Sequence, residues 1–322
     1  MATSQAAPRA FFDPWAHLPG GPALRAACEA GDIPAALSLT RALSAHDDVA
    51  SALWNIAEHG LHPDQRAGYT LAVEAADDGT PLGRTLTGVR YVTVGWSIRT
   101  RQRAEHVSPA QFEQFFDWLR RAERVLFDVC AEHPGFAPAW EVRITTARGL
   151  QLGHGEARRR YDRLVALEPA VFAAQRVFLQ QILPKWGGSW EEASRFVEEC
   201  ASVAAPGSLG PALVADHAIE RWLDGERSVP SATVDRMRSA AAATVLHPEH
   251  TWTAATAVAH TNFALFFSIA KHPADAWPHF DALDRSPVEG LWNYYAARPA
   301  SAYDAAQRNA AAAVARRRGR RS

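Results

Sequence analysis

Small and apolar residues recur along this chain at helical spacing, and the clearest of these runs are each closed by a proline. Ala122, Leu126 and Val129 step by four and then three residues, which places them on one helical face. Pro134 follows five residues later and ends the helix. The pattern returns twice, as Ala157, Tyr161, Leu164 and Pro169, and as Ala193, Val197, Cys200 and Pro206. The period is 35 and then 36 residues, which predicts a repeat of helical units.

Two fainter copies lie nearer the ends of the chain. They comprise Gly31 and Asp32 before Ala36, Thr40 and Leu43, and then Ala276, Phe280, Leu283 and Pro287. All five segments resemble the second helix of a tetratricopeptide repeat. Trp140 also falls where the first helix of that repeat carries its tryptophan. Arg143, Ile144 and Ala147 depart from the Leu-Gly and Tyr positions of that first helix.

Helix pairs of this kind cannot bury their apolar faces alone, whereas stacked pairs bury a continuous core. We therefore expect an all-α fold, a right-handed α-solenoid of stacked, tetratricopeptide-like helical hairpins. Residues 1–20 are expected to form a flexible N-terminal segment, and residues 309–322 an Ala/Arg-rich tail. Between them, residues 21–308 are expected to form a single helical-repeat domain, with a candidate joint near residues 206–211.

Local sequence signals predict helices in the middle of the chain. Thr80 precedes a first-turn proline, and Ser108 with Gln111 has the spacing of a capping box. The second of these helices is expected to turn four residues inward, namely Phe112, Phe115, Phe116 and Leu119. The segment 85–96 is rich in β-branched residues, which favour strands. Apolar residues nevertheless keep helical spacing through it and predict a helix, namely Leu82, Leu86, Val89, Val92 and Trp96.

The stretch LPKWGGSWEE, Leu183–Glu192, joins the two helices of the third repeat copy. Ser189 and Glu192 have the spacing of a capping box, so the second helix is expected to begin at Trp190. Gly187 and Gly188 permit the backbone conformations that a tight reversal needs. The stretch is therefore interpreted as a well-built turn.

The same stretch also permits a functional interpretation. Lys185 beside the free N–H groups of a helix N-terminus could hold a carboxylate or a phosphate. The residues fit neither a Walker loop nor a nucleophile elbow. In the structural interpretation, Trp186 and Trp190 fill apolar surface, with Trp190 buried and Lys185 exposed. Both interpretations stay open here.

The Leu-Pro-Lys-Trp-Gly-Gly run has a second motif upstream of it, a Trp-x-x-Arg formed by Trp96 and Arg99. Together they resemble a bacterial family of tetratricopeptide-like proteins of unknown function, over about residues 70–205. That family often has glycine after the arginine, where this chain has Thr100. The resemblance implies a fold more than an activity. It marks these candidate binding residues: Lys185, Trp186, Gly187, Gly188, Ser189, Trp96 and Arg99.

Charge and composition exclude several functions for the 322-residue chain. The formal net charge is −1, which argues against a general affinity for nucleic acid. The dense basic run is C-terminal, at Arg316, Arg317, Arg318, Arg320 and Arg321. The three cysteines lie far apart and predict neither disulfides nor zinc. The chain has no apparent secretory leader and no run of eighteen apolar residues, so we expect a cytoplasmic protein without a membrane span.

The histidines do not have the spacing of a metal site. His247, His250 and His260 lie near no cysteine in the sequence, and no H-E-x-x-H motif occurs. His154 stands between two glycines and is expected to be exposed rather than catalytic. We therefore predict no metal and no cofactor.

The sequence contains no complete catalytic constellation, and stacked helix pairs form extended concave surfaces. We therefore favour a non-catalytic protein that binds a protein or peptide partner in its concave groove. If the arginines of residues 99–105 and 156–163 converge there, they could receive an acidic peptide. One alternative is an enzyme or small-anion binder centred on Lys185–Trp190. A second is a nucleic-acid-associated factor that uses the arginine tail.

Overall fold

A computed structural model of the chain describes residues 12–100 and 106–319. All regular secondary structure in these ranges is helical, which confirms the predicted all-α class. The helices are α1 (Gly21–Glu29), α2 (Ile33–Arg41), α3 (His46–Glu58), α4 (Pro63–Ala75), α5 (Pro81–Arg99), α6 (Pro109–Glu132), α7 (Ala137–Gly149), α8 (His154–Val165), α9 (Phe172–Gln181), α10 (Trp190–Ser202), α11 (Leu213–Leu223), α12 (Ser231–Ala243), α13 (Ala254–Ile269), α14 (Pro273–Ala282), α15 (Trp292–Tyr295) and α16 (Pro299–Gly319). None of these helices is long and apolar enough to cross a membrane.

The predicted helix starts are confirmed. The Thr80 side chain accepts a hydrogen bond from the Gly83 amide and caps α5, which runs through the β-branched segment as expected. Ser108 and Gln111 form the complete capping box of α6. Phe115 and Leu119 are buried as predicted. The inward prediction is wrong in part, because Phe112 and Phe116 are only half-buried and stack on each other along the surface of α6.

The chain divides into two compact units, His17–Ala193 and the rest of the described chain. In the first unit, α5 packs against α6 and α7, and α7 packs against α8 and α9. In the second unit, α11 packs against α13, α13 against α14, and α14 against α16. The segment 206–211 lies inside the second unit. Residues 1–11 of the predicted N-terminal segment lie outside the described residues. Arg320 and Arg321 of the predicted C-terminal tail lie outside them as well.

Helix α3 packs against α5, α7 and α9 within the first unit. Its apolar face is almost completely removed from solvent, since Ala52, Leu53, Ile56 and Ala57 are each exposed by 1% or less. Eleven of the thirteen residues of α7 are buried as well. Helix α3 therefore holds together α5, α7 and α9. Helices α6 and α8 also pack against members of this set.

Two residues at the N-terminus of α3 hold it to α7 and α9. His46 Nε2 lies 2.8 Å from Glu141 Oε2 on α7, with both side chains buried. Burial opposes a charge on His46, but the hydrogen bond and the negative charge of Glu141 outweigh it and raise the pKa of His46. Asp47 accepts a hydrogen bond of 3.3 Å from the Ala173 amide at the start of α9. Burial raises the pKa of Asp47 to about 6, although this hydrogen bond works against the increase.

One arginine of α5 holds the C-terminal end of α3. Arg90 is 0% exposed, and its Nη1 donates hydrogen bonds of 2.6 Å to Ala57 O and 2.7 Å to His59 O. Its Nη2 donates to Gly60 O and Arg66 O at 3.3 and 3.0 Å. Burial lowers the pKa of Arg90 to about 10, so the guanidinium stays charged at neutral pH. It supplies donors and positive charge where helix carbonyls lack intrahelical partners.

A second buried arginine network links α6, α7 and α8. Glu123 Oε1 lies 2.8 Å from Arg143 Nη2 and 2.8 Å from Arg160 Nη2. The Thr146 hydroxyl donates to Glu123 Oε2. One carboxylate from α6 thereby joins two arginines from the neighbouring helices, and each charge has a partner, as buried charges require.

Replacing Arg90 with methionine is expected to lower the free energy of unfolding by about 3 to 5 kcal/mol, because buried carbonyl groups lose their donors while the apolar stem is kept. Urea denaturation followed by far-UV circular dichroism measures the loss. Arg84→Met is the matched control on the same helix, since Arg84 pairs at the surface with Glu132, and it should change little. Equal effects of the two substitutions would contradict the anchoring role of Arg90.

The Asp47 carboxyl should make the protein less stable as pH rises. Its pKa is about 6 in the fold against an ordinary value of 3.8, so the folded state holds the proton more tightly, and stability falls between these values as pH rises. Asp47→Asn should therefore lose less stability than the wild type between about pH 4 and about pH 6. Urea midpoints over that range measure the difference. Asp64→Asn, at an exposed carboxylate, is the control, and wild-type and Asp47→Asn curves that run parallel would contradict the prediction.

Candidate functional site

The LPKWGGS turn is shaped by close backbone packing. After α9 ends at Gln181, a short 3-10 turn covers Pro184–Trp186, and Gly187 follows with φ 88°. The Gly188 amide donates to Leu183 O at 3.2 Å. A Cβ atom on Gly188 would lie 1.9 Å from Ile182 O, a distance that no side chain tolerates. Glycine is therefore required at this position for the chain to reverse.

The predicted cap of α10 is confirmed, because Ser189 Oγ accepts a hydrogen bond of 3.1 Å from the Glu192 amide. Lys185 is exposed, as predicted. The prediction of a buried Trp190 is wrong, since this residue is only half-buried. Trp190 is the first residue of α10, where the helix has no preceding turn to cover the ring. Trp186, rather than Trp190, packs against the tryptophan of α5.

Four side chains from distant parts of the sequence meet beside this turn, and we call them the Trp–Arg cluster: Trp96, Arg99, Arg148 and Trp186. The two indole rings meet edge to face, with centroids 6.0 Å apart. The Arg99 guanidinium carbon lies 5.5 Å from the Trp96 centroid and 5.8 Å from that of Trp186. The Arg148 carbon lies 5.6 and 5.4 Å from the same two rings. Both cations are thus within the range of cation–π attraction to both tryptophans.

The supporting helices bring the cluster together. The last turns of α5 and α7 supply its arginines, and Trp96 packs edge to face on Phe115 of α6 with centroids 4.8 Å apart. Gly149 permits the close approach of α7, because a Cβ atom there would lie 2.3 Å from Leu119 Cδ1 and 3.5 Å from the ring of Trp96. The structure therefore brings the predicted residues Trp96, Arg99 and Trp186 into contact.

His154 ties the turn to α8. Its Nε2 lies 3.2 Å from Trp186 O, to which it must donate because a carbonyl oxygen only accepts. Its Nδ1 lies 3.7 Å from Glu192 Oε2. His154 was expected to be exposed, and this prediction is wrong in part because the residue is half-buried. It thereby binds the backbone carbonyl of Trp186, one member of the Trp–Arg cluster.

Sequence reasoning also missed Arg148, which completes the cluster. The available signal was its place in the last turn of α7, which corresponds to the place of Arg99 in the last turn of α5. All four members of the cluster are partly exposed. Guanidinium groups stay protonated at neutral pH and donate hydrogen bonds without accepting them. The cluster therefore suits the binding of a negatively charged group more than proton transfer.

The backbone next to the cluster is strained. Thr100 ends α5 with φ 66° and ψ 178°, a region that is essentially confined to glycine. Arg99 Nη1 donates a hydrogen bond of 3.1 Å to the Thr100 carbonyl. The conformation of Thr100 is thus linked directly to one of the stacked arginines.

The other candidate histidines lie in the second unit. His250 contacts Gly207 O and the Thr256 hydroxyl. His260 and His279 are buried with their Nδ1 atoms 3.0 Å apart, and burial lowers the pKa of His279 well below its ordinary value. Within residues 12–100 and 106–319, no three His, Cys, Asp or Glu side chains are grouped so that they could hold a metal ion.

No protein-family model matches the chain, and no curated protein matches its sequence. The resemblance to the bacterial tetratricopeptide-like family therefore stays a prediction. The contact between Trp96 and Trp186 is nevertheless a physical reason for two motifs far apart in sequence to occur together.

Thr100→Gly is expected to be more stable than Thr100→Ala by about 1 kcal/mol, because only glycine adopts this conformation without strain. Thermal and urea midpoints of the two variants measure the difference. Ser97, inside α5, is the control position, where alanine should be more stable than glycine. The same order at both positions would mean that Thr100 carries no strain.

Proposed function

We propose that this protein is a cytoplasmic, non-catalytic helical-repeat protein that binds a protein or peptide partner through the Trp–Arg cluster and Lys185. The observation that carries the proposal is the convergence of two arginines on two partly exposed tryptophans beside an exposed lysine. Tryptophan and arginine are the residues most often found as binding hot spots at protein interfaces.

We also propose that the helix pairs stack as a right-handed, tetratricopeptide-like solenoid within the first unit. The contacts of α5 with α7 and of α7 with α9 support this arrangement, because first helices of successive pairs are neighbours in such stacks. The contacts of α6 with α7 and of α8 with α9 support it further, since each second helix meets the first helix of the next pair. The resemblance to the bacterial family would follow from this shared stacking.

The position of α3 favours the cluster over a groove as the partner surface. In a helical-repeat array, the first helices of the pairs line the concave face. In the first unit, α3 packs on α5, α7 and α9, which would be those helices. A partner that bound to the same face would have to displace Leu53 and Ile56, which are buried there. The cluster needs no such displacement.

The alternatives remain distinct from this proposal. A small-anion binder would use the same arginines and Lys185 without requiring a protein partner. A nucleic-acid-associated factor would use the end of α16, where Arg316, Arg317 and Arg318 are exposed. Both alternatives predict that substitutions at Lys185 leave protein partners unaffected.

Lys185→Glu is expected to abolish binding of a partner recovered in stoichiometric amount from native extract, because it reverses the charge beside the cluster while leaving the fold intact. The partner is then purified and the complex reconstituted, and the affinities of both variants are measured by calorimetry. Lys271→Glu is the matched control, since Lys271 is the other lysine of the chain, is exposed and lies in the second unit. A partner that binds equally to both variants, or no partner at all, would overturn the proposal.

A further inference from the structure

We infer that the end of α16 inserts into the major groove of a nucleic-acid duplex, where its arginines pair with the phosphates of both strands. We call residues 315–319 the arginine end, and they belong to the second unit. The Trp–Arg cluster belongs to the first unit. The arginine end is therefore a second binding surface, which does not depend on the proposed partner binding.

The arginine end is exposed on every side of the helix. Residues 315–319 are five exposed residues in succession, whereas an α-helix completes a turn in about 3.6 residues. In the preceding turns, Ala310 and Ala313 are buried. Helix α16 therefore packs through its earlier turns and leaves more than one full turn in solvent at its end. Residues 310–315 are five alanines and one valine, so the helix is also narrow there.

Arg316, Arg317 and Arg318 point away from the helix axis in three directions. Successive residues of an α-helix are about 100° apart, so these three cover about 200° of its circumference. The major groove of B-form DNA is about 12 Å wide and admits one α-helix between its two phosphate backbones. Arginines on different sides of an inserted helix therefore reach both strands. A flat surface or a single extended chain would meet only one of these sides.

No acidic residue near these arginines in the sequence compensates their charge. From Ala305 onwards the chain has six arginines and no lysine, aspartate or glutamate, which gives this segment a formal charge of +6. Other surface arginines differ, because Arg120, Arg159 and Arg238 each pair with an acid three residues away. The whole chain carries −1, so everything before Ala305 carries −7. Attraction to a polyanion is therefore concentrated in this segment.

The composition of the segment favours a nucleic acid over a lipid surface. Helices that lie on membranes carry large apolar side chains such as Trp, Phe or Leu opposite their cations. Residues 305–319 contain no apolar side chain larger than Val314, which is half-buried. Guanidinium groups, in contrast, form paired hydrogen bonds with phosphate oxygens. The helix dipole favours cations in the last turn only and does not account for Arg320 and Arg321, which follow in the sequence.

The test is fluorescence anisotropy of a labelled DNA duplex titrated with the full-length protein at several salt concentrations. We expect equal binding of two unrelated duplex sequences, because the contacts are to phosphates. Changing Arg316, Arg317 and Arg318 together to glutamine should weaken binding by about tenfold or more, and should reduce the slope of log K against log salt by about 3. Changing the same three residues to lysine keeps the charge and should retain most of the binding.

The matched control is the double variant Arg236→Gln with Arg238→Gln. Both arginines are exposed and lie in the second unit, but they pair with acids. Their loss should leave the affinity for the duplex unchanged. Circular dichroism should show the same melting temperature for the wild type and the triple glutamine variant.

Failure of the wild type to bind the duplex, or full binding by the triple glutamine variant, would overturn the inference. Single-stranded DNA that binds as tightly as the duplex would also overturn it, because a single strand has no groove. Vesicles containing phosphatidylserine and polyglutamate are tested separately. Arginine-dependent binding to either one without binding to the duplex would overturn the inference in favour of a lipid surface or an acidic protein. Lys185→Glu should bind the duplex as the wild type does, so this result and the test of partner binding are independent.

Discussion

The arrangement of the first unit depends on pairing the carbonyl groups at the C-terminal end of α3 and on side-chain contacts made by the residues at its N-terminal end. A helix leaves amide and carbonyl groups unpaired at its termini, and burying them without partners is costly. Here Arg90 donates to carbonyls at and beyond the end of α3, while His46 and Asp47 bond to α7 and α9 at the other end. These contacts allow α3 to lie against three helices at once. The apolar face between its ends then packs without a conflicting polar requirement.

Helix α3 on one side and α6 and α8 on the other cover α5 and α7, so even polar residues of these two helices, such as Arg90 and Arg143, are buried. A helix that is buried all round needs no clear division into apolar and polar faces, provided that its polar side chains are paired. Arg143 illustrates this, because it stands where a tetratricopeptide repeat carries part of its Leu-Gly pair. Its guanidinium bonds to Glu123, which also binds Arg160. The departure from the repeat pattern is therefore tied to an ion-pair network that joins three helices.

Local features of the sequence were sufficient to predict the helices. They were not sufficient to predict the contacts between residues that are distant in sequence. The caps at Thr80, Ser108 and Ser189 depend on residues three positions apart, and all three are formed. The position of α3 depends instead on pairs such as His46 with Glu141, which are distant in sequence. Periodicity carries no information about such pairs. For the same reason, Trp96, Arg99 and Trp186 were identified through a resemblance, whereas Arg148 lies outside the motifs that carry that resemblance.

The strained residue next to the cluster bears on how the cluster functions. Thr100 occupies a backbone region that favours glycine, and the family that the chain resembles often has glycine at this position. Such a conformation persists only where surrounding contacts determine it. Arg99 supplies one of these contacts, because it bonds to the Thr100 carbonyl while it lies over both tryptophan rings. The hydrogen bond therefore links the backbone at Thr100 to the position of the Arg99 side chain. Side chains that are fixed in advance lose less entropy on binding, so this link is compatible with the proposed role of the cluster in partner binding.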